Sequence, residues 1–433
     1  MMHMKKLAVL VVALVVLMAG CAAPEEKPAA TPSETTTPSE AKAEVQKIPI
    51  GVLIDLSGPL VTYGQDIKNT LEIAKEDINK YFEEKGKPYR VEFYYEDMRV
   101  DPKLALDKVM ALHGKGVKLV IGPMGSGEVK NILQYVSSNK IIIISPSSTA
   151  PPKLLGITKP EEKKYVFRFV ATDTFQTKAI AKVVNDLGIK AVVIAHIGNA
   201  WGKGLDEYGK AEFEKYGIVV REDVEYPDPP PADFTPYIAT LENAVNDLLK
   251  EYDASEIAVV AFSYEEVATM LAQVSSDSPL LKVKWIGCDG CAKSSKVLEV
   301  ADKANKVKLY STLFESKGED FERLSKAYQE KYGGSPYQYA LNAYDAAWVL
   351  ALAYAEVYEK LGKYDADEMA KIIPEVTEKY CNGEYGVKSV SGFIKLDEFN
   401  DRASGDYAIY CVENGEWIDA GLWKYETNEI IWK

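Results

Sequence analysis

The sequence predicts an α/β protein of two doubly wound lobes, each a parallel β-sheet with helices on both faces. Short β-rich runs alternate with amphipathic helical segments along most of the chain, a rhythm typical of parallel sheets. The globular body, residues 48–433, is longer than one hydrophobic core usually supports, so two lobes are expected. Hydrophobic residues make up 47% of the chain, as in ordinary globular proteins.

The N-terminal residues predict export. A short basic stretch ends at Lys6, and the apolar run Leu7–Leu17 is shorter than the ~20 residues that a membrane-spanning helix needs. This pattern is typical of a signal peptide, which we assign to residues 1–20. The run Leu17-Met18-Ala19-Gly20-Cys21 resembles the lipobox of secreted lipoproteins. That resemblance implies lipid on Cys21 and an anchor at the outer face of the cytoplasmic membrane; the alternative is an ordinary signal peptide with an incidental cysteine.

Residues 21–47 are expected to form a disordered tether between the lipidated cysteine and the body. Residues 22–40 are rich in Pro, Thr, Ala and Glu and contain no large apolar side chain. Such a segment buries too little surface to offset its ordering entropy, and its prolines and threonines keep it extended.

The overall charge argues against nucleic-acid binding. The formal net charge is -14 at pH 7 and the isoelectric point is about 5.0. A surface with this excess of carboxylates repels a phosphate backbone.

The first half of the body contains strand-like and helix-like segments in alternation. The strands are predicted at 48–56, 91–95, 117–121 and 141–145. The first helix spans Gln65–Phe82, with Ile67, Leu71, Ala74 and Ile78 at helical spacing. Asp101-Pro102, an N-cap followed by proline at the first helical position, opens the second helix, which ends near His113, and a third helix begins near Gly127.

The same alternation continues in the second half. Helices are predicted at 176–187, 204–216, 234–250 and 265–275, each followed by a strand, at 191–196, 218–221, 257–262 and 283–287. Two long helices near 320–332 and 340–361 precede a β-rich tail from about residue 392.

The loops after the strands carry no motif for nucleotide binding or hydrolysis. No G-x-G-x-x-G follows a strand, and Gly198–Gly204 is one residue short of a phosphate-binding loop and lacks its Ser or Thr. There is no G-x-S-x-G elbow, and no His and Glu have zinc-ligand spacing. We therefore expect no catalytic residues, no cofactor and no metal.

Two strand-end loops instead carry hydroxyl groups and glycines. Gly122–Gly127 contains Ser126 and leads into a helix, and the next strand ends in Ser145-Pro146-Ser147-Ser148-Thr149. A helix N-terminus presents unpaired amides and a partial positive charge, so two such adjacent loops suit a carboxylate. The alternative is a pair of ordinary strand–helix turns, where Gly and Ser are also common.

Four cysteines remain besides Cys21. An even number in an extracellular setting favours disulfides. Of the three possible pairings we prefer Cys288–Cys291 with Cys381–Cys411. A four-cysteine zinc site is the alternative.

Several segments in order resemble the branched-chain (Leu/Ile/Val-type) amino-acid binding proteins of ABC transporters, lipoprotein members of the type I periplasmic-binding-protein family. The order and spacing of the matching segments carry the resemblance. They are Ile50–Pro59 with Tyr63-Gly64, Glu96-Asp97 with Asp101-Pro102, Ile121-Gly122-Pro123 with Ser126, Ile144–Thr149, Phe167-Arg168-Phe169, Trp201–Gly204 with Tyr208, and Asp233-Phe234.

This resemblance implies two lobes joined by a three-segment hinge. Lobe 1 is expected to comprise residues 48–171 and 314–378, and lobe 2 residues 172–313 and 379–433. It also implies a monomeric binding protein, not an enzyme, that captures an amino acid between its lobes. The partners implied are the permease and ATPase subunits of an ABC importer.

The resemblance also implies site residues. Ser126 and Thr149 would bind the ligand carboxylate, together with backbone groups of Ser147 and Ser148. Asp289 stands where the acid that pairs with the ligand ammonium is expected, and the remaining residues are aromatic groups of the cleft: Tyr63, Trp201 and Tyr264.

Two departures from the family pattern leave the ligand open. Asp289 replaces the usual Glu, which is one methylene longer, and Ser147 and Ser148 replace smaller residues. Binders of urea, short amides or aromatic acids are therefore a first alternative. Cys288-Asp289-Gly290-Cys291 also has the C-x-x-C form of an exported thiol oxidoreductase, although it follows a late strand. A sensory ectodomain is disfavoured because no apolar segment stands at the C-terminus.

Overall fold

The computed structural model describes residues 45–433. The predicted signal peptide, the lipidation of Cys21 and most of the tether lie outside the described residues. The tether was predicted to end at residue 47, but the first strand begins at Gln46. The backbone N–H of Gln46 donates to the carbonyl of Pro88. Between residues 45 and 433 no helix is both long and apolar enough to cross a membrane.

Lobe 1 is built on a five-stranded parallel sheet with the order β2-β1-β3-β4-β5. Its strands are β1 (Gln46–Ile54), β2 (Tyr89–Asp97), β3 (Leu119–Ile121), β4 (Ile142–Ser145) and β5 (Val166–Arg168). Three helices connect them: α1 (Val61–Glu84), α2 (Pro102–Gly114) and α3 (Ser126–Ser138). The predicted cap at Asp101 is confirmed, because its carboxylate accepts bonds from the amides of Lys103 and Leu104.

Lobe 2 is built on an eight-stranded sheet with the order β13-β12-β11-β10-β9-β8-β6-β7. The parallel strands are β6 (Ala191–Ile197), β7 (Val219–Tyr226), β8 (Ile257–Phe262), β9 (Lys284–Ile286) and β10 (Tyr310–Phe314). The antiparallel tail adds β11 (Tyr407–Glu413), β12 (Glu416–Lys424) and β13 (Glu429–Trp432). Its helices are α4 (Asp173–Asp186), α5 (Ala200–Lys215), α6 (Thr235–Leu248), α7 (Val267–Gln273), α8 (Ser295–Leu298) and α9 (Ala301–Lys306).

Three further helices return to lobe 1: α10 (Phe321–Tyr332), α11 (Gln338–Leu361) and α12 (Ala366–Cys381). α10 and α11 pack on α1, and α11 and α12 also pack on the strands of the lobe 1 sheet. The sequence reading missed α12, which contains Pro374, a residue that normally ends a helix. Its buried residues Met369, Ile373, Val376 and Tyr380 have helical spacing, a signal that was available.

The chain therefore passes between the lobes three times, through residues 169–172, 315–320 and 382–406. The crossings lie side by side. The amide of Glu315 donates to the carbonyl of Asp406 at 2.9 Å, and that of Arg402 donates to the carbonyl of Arg168 at 3.0 Å. The residues at which each lobe begins and ends stay a prediction.

A fully buried ion cluster holds the third crossing to lobe 1. The guanidinium of Arg168, at the end of β5, donates from Nε to Asp401 Oδ1 at 2.6 Å and also bonds Oδ2. Lys163 Nζ donates to the same Asp401 Oδ1 at 2.6 Å and to the carbonyl of Phe399 at 2.7 Å. All three charged side chains have no exposed surface. We call this set the Arg168–Asp401–Lys163 cluster.

Candidate functional site

A cavity lies between the lobes, at the carboxyl ends of the parallel strands. This is where open α/β sheets bind ligands. Lobe 1 contributes side chains from the loops after β1, β3 and β4 and from the start of α11, and lobe 2 contributes loops after β6, β8 and β9. The lining residues are Leu60, Tyr63, Met124, Gly125, Ser126, Ser147, Trp201, Tyr264, Asp289, Gly290, Tyr337 and Tyr339.

The two hydroxyl-bearing loops are tied to each other at one end of this cavity. Ser126 Oγ lies 3.0 Å from Ser148 Oγ and accepts a bond from the amide of Ala150 at 3.0 Å. Ser147 Oγ donates to the carbonyl of Met124 at 2.9 Å. Ser126 opens α3, whose N-cap, Gly125, offers no side-chain cap. Glu128, in the first turn of α3, is buried, and burial raises its pKa to about 8, so the neutral carboxyl group still allows an anion to approach the first amides of α3.

The other end of the site holds buried acceptors without partners. Asp289 Oδ2 accepts a bond from the Tyr339 hydroxyl at 2.7 Å, while Oδ1 is buried with no partner. Burial raises the pKa of Asp289 to about 6, against the opposing effect of the Tyr339 hydrogen bond. The hydroxyl of Thr149, in the loop after β4, is also buried and has no partner.

Asp173, a residue that the sequence reading missed, belongs to the same group. It is fully buried at the start of α4, its amide bonds the carbonyl of Thr149 at 2.8 Å, and neither of its carboxylate oxygens has a partner. Burial, and next the negative charge of Asp289, raise the pKa of Asp173 well above its usual value. Two buried carboxyl groups, Asp173 and Asp289, therefore lie close enough for the charge of Asp289 to raise the pKa of Asp173.

Two stacked aromatic pairs form the walls. Trp201 and Tyr264 stack at 4.4 Å between ring centroids, and Tyr63 and Tyr337 stack at 4.3 Å. The three aromatic residues predicted from the sequence therefore meet in the cavity with Ser126, Ser147 and Asp289. Ser148 and Thr149 are buried beside it but do not line it.

Tyr337 and Tyr339 are further lining residues that the sequence reading missed. Tyr339 binds the Asp289 carboxylate, and the Tyr337 hydroxyl donates to the Asp289 carbonyl at 3.1 Å. Both lie at the start of α11, which follows the helix α10. Because they do not follow a strand, their position in the sequence does not predict a place in the cavity.

Gly290 is required by the close packing of the lobe 2 wall. A Cβ atom at this position would lie 2.5 Å from the carbonyl oxygen of Ser263, 2.7 Å from the Trp201 ring and 3.0 Å from the Tyr264 ring. Any larger residue here must displace the Ser263 backbone or the Trp201–Tyr264 pair.

The predicted disulfides are wrong, because all four cysteines of the described body are free thiols. Cys288 and Cys291 follow β9, and their thiols are directed toward the two different strands that flank β9. Cys288 Sγ lies 3.7 Å from the carbonyl of Ala261 on β8, whereas Cys291 Sγ lies 3.3 Å from Ser311 Oγ on β10. Cys381 ends α12 beside Gly392, and Cys411 lies within β11, so the second predicted pair is not bonded either. Asp289 is positioned by Tyr339 and by backbone contacts, not by a disulfide loop.

One group of side chains in the described body has the geometry to hold a metal, and it lies outside the cavity. His196 on β6 and Asp223 on β7 approach to 3.2 Å, with Asp206 of α5 beside them. Lys210 already bonds Asp206 at 2.7 Å and also contacts Asp223. The ammonium of Lys210 therefore supplies the positive charge that these acids need.

Comparison with known proteins agrees with this geometry. The family model described as periplasmic binding protein matches residues 47–416. The chain belongs to the periplasmic binding protein family. Members of this family are solute-binding proteins, not enzymes, and are extracytoplasmic, so the predictions of family, of fold class and of a non-enzyme are confirmed.

Three proteins illustrate the similarity. Uncharacterized protein MJ1266 of Methanocaldococcus jannaschii is 50% identical over 96% of this chain and 97% of its own length. The branched-chain amino acid transporter substrate binding protein LivJ from Streptococcus pneumoniae, in complex with isoleucine, has a TM-score of 0.68 at 20% identity and covers 90% of this chain and 100% of its own. A solute binding protein from R. palustris in complex with benzoate has a TM-score of 0.69 at 17% identity, with coverage of 87% and 96%.

Proposed function

We propose that this binding protein captures a free amino acid between its lobes and delivers it to an ABC importer. The observation that carries the proposal is the presence of both donors and an acidic acceptor in the wall of one cavity, at Ser126 and Asp289. Uncapped amides and hydroxyls lie at Ser126, and unpartnered buried carboxylate oxygens lie at Asp289 and Asp173. A free amino acid is a zwitterion, and it needs donors for its carboxylate and acceptors for its ammonium.

At the donor end, the N-terminus of α3 and the Ser126 hydroxyl support binding of the ligand carboxylate. A helix N-terminus offers both free N–H groups and a partial positive charge. A lysine or arginine is therefore not needed at this end, and none lines the cavity. Ser147 also lines the cavity, and the backbone of Ser148 follows it in the same loop.

At the acceptor end, an ammonium group would satisfy several groups that now lack donors. Asp289 Oδ1 and both oxygens of Asp173 are buried and unpartnered, and such groups are costly unless a ligand or a proton satisfies them. A benzoate-like acid or urea brings no ammonium and would leave the Asp289 carboxylate in the cavity wall without a counter-charge. This acid therefore favours an amino acid over these alternatives.

The location and the partners complete the proposal. Lipid on Cys21 would hold the protein at the outer face of the cytoplasmic membrane, as the lipobox-like sequence supports. The lobes, with the bounds predicted from the sequence, would close on the ligand about the three crossings, and the closed monomer would be received by the permease and ATPase subunits.

A ligand screen with matched derivatives tests this proposal. The purified protein is heated with each standard amino acid, with its N-acetyl derivative, and with benzoate or urea. At least one amino acid should stabilise the protein, by about 2.7 kcal/mol when its concentration is about 100 times Kd. Its N-acetyl derivative, which lacks the ammonium, should not. Equal stabilisation by the acetylated form, or stabilisation by benzoate alone, contradicts the amino-acid assignment.

The raised pKa of Asp289 predicts a pH-dependent affinity. The ligand ammonium pairs with the ionised carboxylate, whose pKa in the free protein is about 6. Below that pH the carboxyl group must lose a proton on binding, so affinity should fall by about tenfold between pH 7 and pH 5. Calorimetric titrations across this range measure the effect. The Asp289→Asn variant should lose this part of the dependence, and an unchanged slope in that variant would assign the titration to another group.

A further inference from the structure

The cavity between the lobes is small for a family in which bulky ligands are bound. Its volume is about 30 Å³. On the same measure a single water needs about 10–15 Å³, so there is room for roughly two waters. This volume is tight even for glycine, the smallest amino acid, and leaves no room for a large side chain.

The volume belongs to a closed arrangement of the lobes. The Tyr63 hydroxyl, on lobe 1, donates to the carbonyl of Ala292 on lobe 2 at 3.1 Å. Tyr337 and Tyr339, also on lobe 1, donate to the backbone and to the carboxylate of Asp289. These contacts between the lobes must break before the cavity can admit a larger ligand.

The ring of Tyr337 is held firmly in place as one wall of the cavity. It stacks on Tyr63 at 4.3 Å and packs edge-on against Tyr339 at 5.5 Å. Its hydroxyl is fixed at 3.1 Å from the Asp289 carbonyl, and the whole residue is buried. A ring held on two sides and at its tip cannot turn aside without losing packing and a hydrogen bond.

The opposite wall is equally resistant to movement. Trp201 and Tyr264 stack on each other, and the Tyr264 hydroxyl accepts a bond from Asn199 at 3.2 Å. Their rings lie directly on Gly290, a position with no space for even a Cβ atom. The cavity is therefore bounded by packed rings on both sides, so a ligand with an added methylene group would clash with a wall.

We infer that Tyr337 limits the size of the ligand, and that the protein selects an amino acid with a small side chain, of the glycine, alanine or serine class, over leucine. This inference rests on the proposed function, since it names the size class of the same ligand. Polar groups of the cavity would bind the ammonium and the carboxylate of the ligand, and the aromatic walls would exclude a branched side chain.

The first test uses the unmodified protein. Calorimetric titrations with glycine, alanine, serine and leucine should show at least one small amino acid binding about tenfold or more tighter than leucine. Tighter binding of leucine overturns the size limit and leaves the amino-acid function standing. Failure of every amino acid to bind overturns both.

A pair of variants then tests the role of Tyr337 itself. Tyr337→Ala removes the ring and should raise the affinity for leucine about tenfold or more relative to that for alanine. Tyr337→Phe keeps the ring and removes only the hydroxyl, so it should keep the preference for the smaller ligand. Circular dichroism confirms that both variants fold. An unchanged ratio in a folded Tyr337→Ala variant, or the same change in Tyr337→Phe, overturns the assignment to the ring.

Discussion

Replacing Asp401 with alanine is expected to lower the free energy of unfolding by about 3–5 kcal/mol. Asp401 carries the negative charge of the Arg168–Asp401–Lys163 cluster, and all three side chains are fully buried. Without it, Arg168 and Lys163 lose their counter-charge and are left in the interior among carbonyl oxygens. Burial already lowers the pKa of Lys163 to about 8, with the Asp401 charge opposing that shift. Chemical denaturation of the purified variant measures the loss.

The matched control is an exposed pair. Lys153 and Glu207 form an ion pair at 2.8 Å, with side chains that are 72% and 50% exposed. Glu207→Gln should cost no more than about 1 kcal/mol, because solvent screens such pairs. A loss in Asp401→Ala no larger than that in Glu207→Gln would mean that water or neighbouring carbonyls already satisfy Arg168 and Lys163.

The same cluster connects the crossings to the ligand loops. Besides Asp401, the Arg168 guanidinium donates to the carbonyl of Ala150 at 2.6 Å and to that of Ser148 at 3.2 Å. It therefore fixes the loop that follows β4 and the third crossing in one hydrogen-bonded unit. The loop that bears Ser147 and Thr149 is held rigid where the lobes would pivot, and a rigid binding loop loses less entropy when a ligand binds.

The fold could be predicted from local patterns because parallel sheets and their helices leave strong periodic signals. The helix that begins at Pro102 has both its cap and its proline in the sequence, and the structure forms it at the expected place. The helix α12 was missed although its apolar residues have the right spacing. Pro374 lies inside it, and only packing against α11 explains why the helix continues past a proline.

The site could be predicted only where it follows strands. Ser126, Ser147 and Asp289 stand in strand-end loops, where the architecture concentrates ligand contacts, and all three line the cavity. Asp173 looks in the sequence like an ordinary acid at a helix start, and only burial without a partner distinguishes it. Tyr337 reaches the cavity because α11 returns to lobe 1, which is a long-range feature with no local signal.

For the cysteines a local pattern predicted a bond that the structure does not have. A C-x-x-C spacing is compatible with a disulfide, but bonding requires that the two side chains point toward each other. In this sheet the strand before Cys288 has a neighbour on each side, and each thiol is directed to a different one. Spacing in the chain does not determine that direction.

Replacing Asp289 with asparagine is expected to weaken amino-acid binding by about 2–5 kcal/mol, roughly 30-fold to 4000-fold in Kd. The amide has nearly the same shape and still accepts the bond from Tyr339, so the loop should keep its conformation. What is lost is the charge opposite the ligand ammonium in a buried site. Calorimetric titration with the amino acid that binds best to the unmodified protein gives the change.

Asp223→Asn provides the matched control for this experiment. It makes the same acid-to-amide change in the same lobe, but its side chain contacts His196 and Lys210 and does not line the cavity. Affinity in this control should stay within about threefold of the original, because Asp223 does not line the cavity. If Asp289→Asn binds no more weakly than Asp223→Asn does, Asp173 is the acid that pairs with the ammonium. Asp173→Asn would then show the loss instead, because its two unpartnered oxygens are the next acceptors available to the same group.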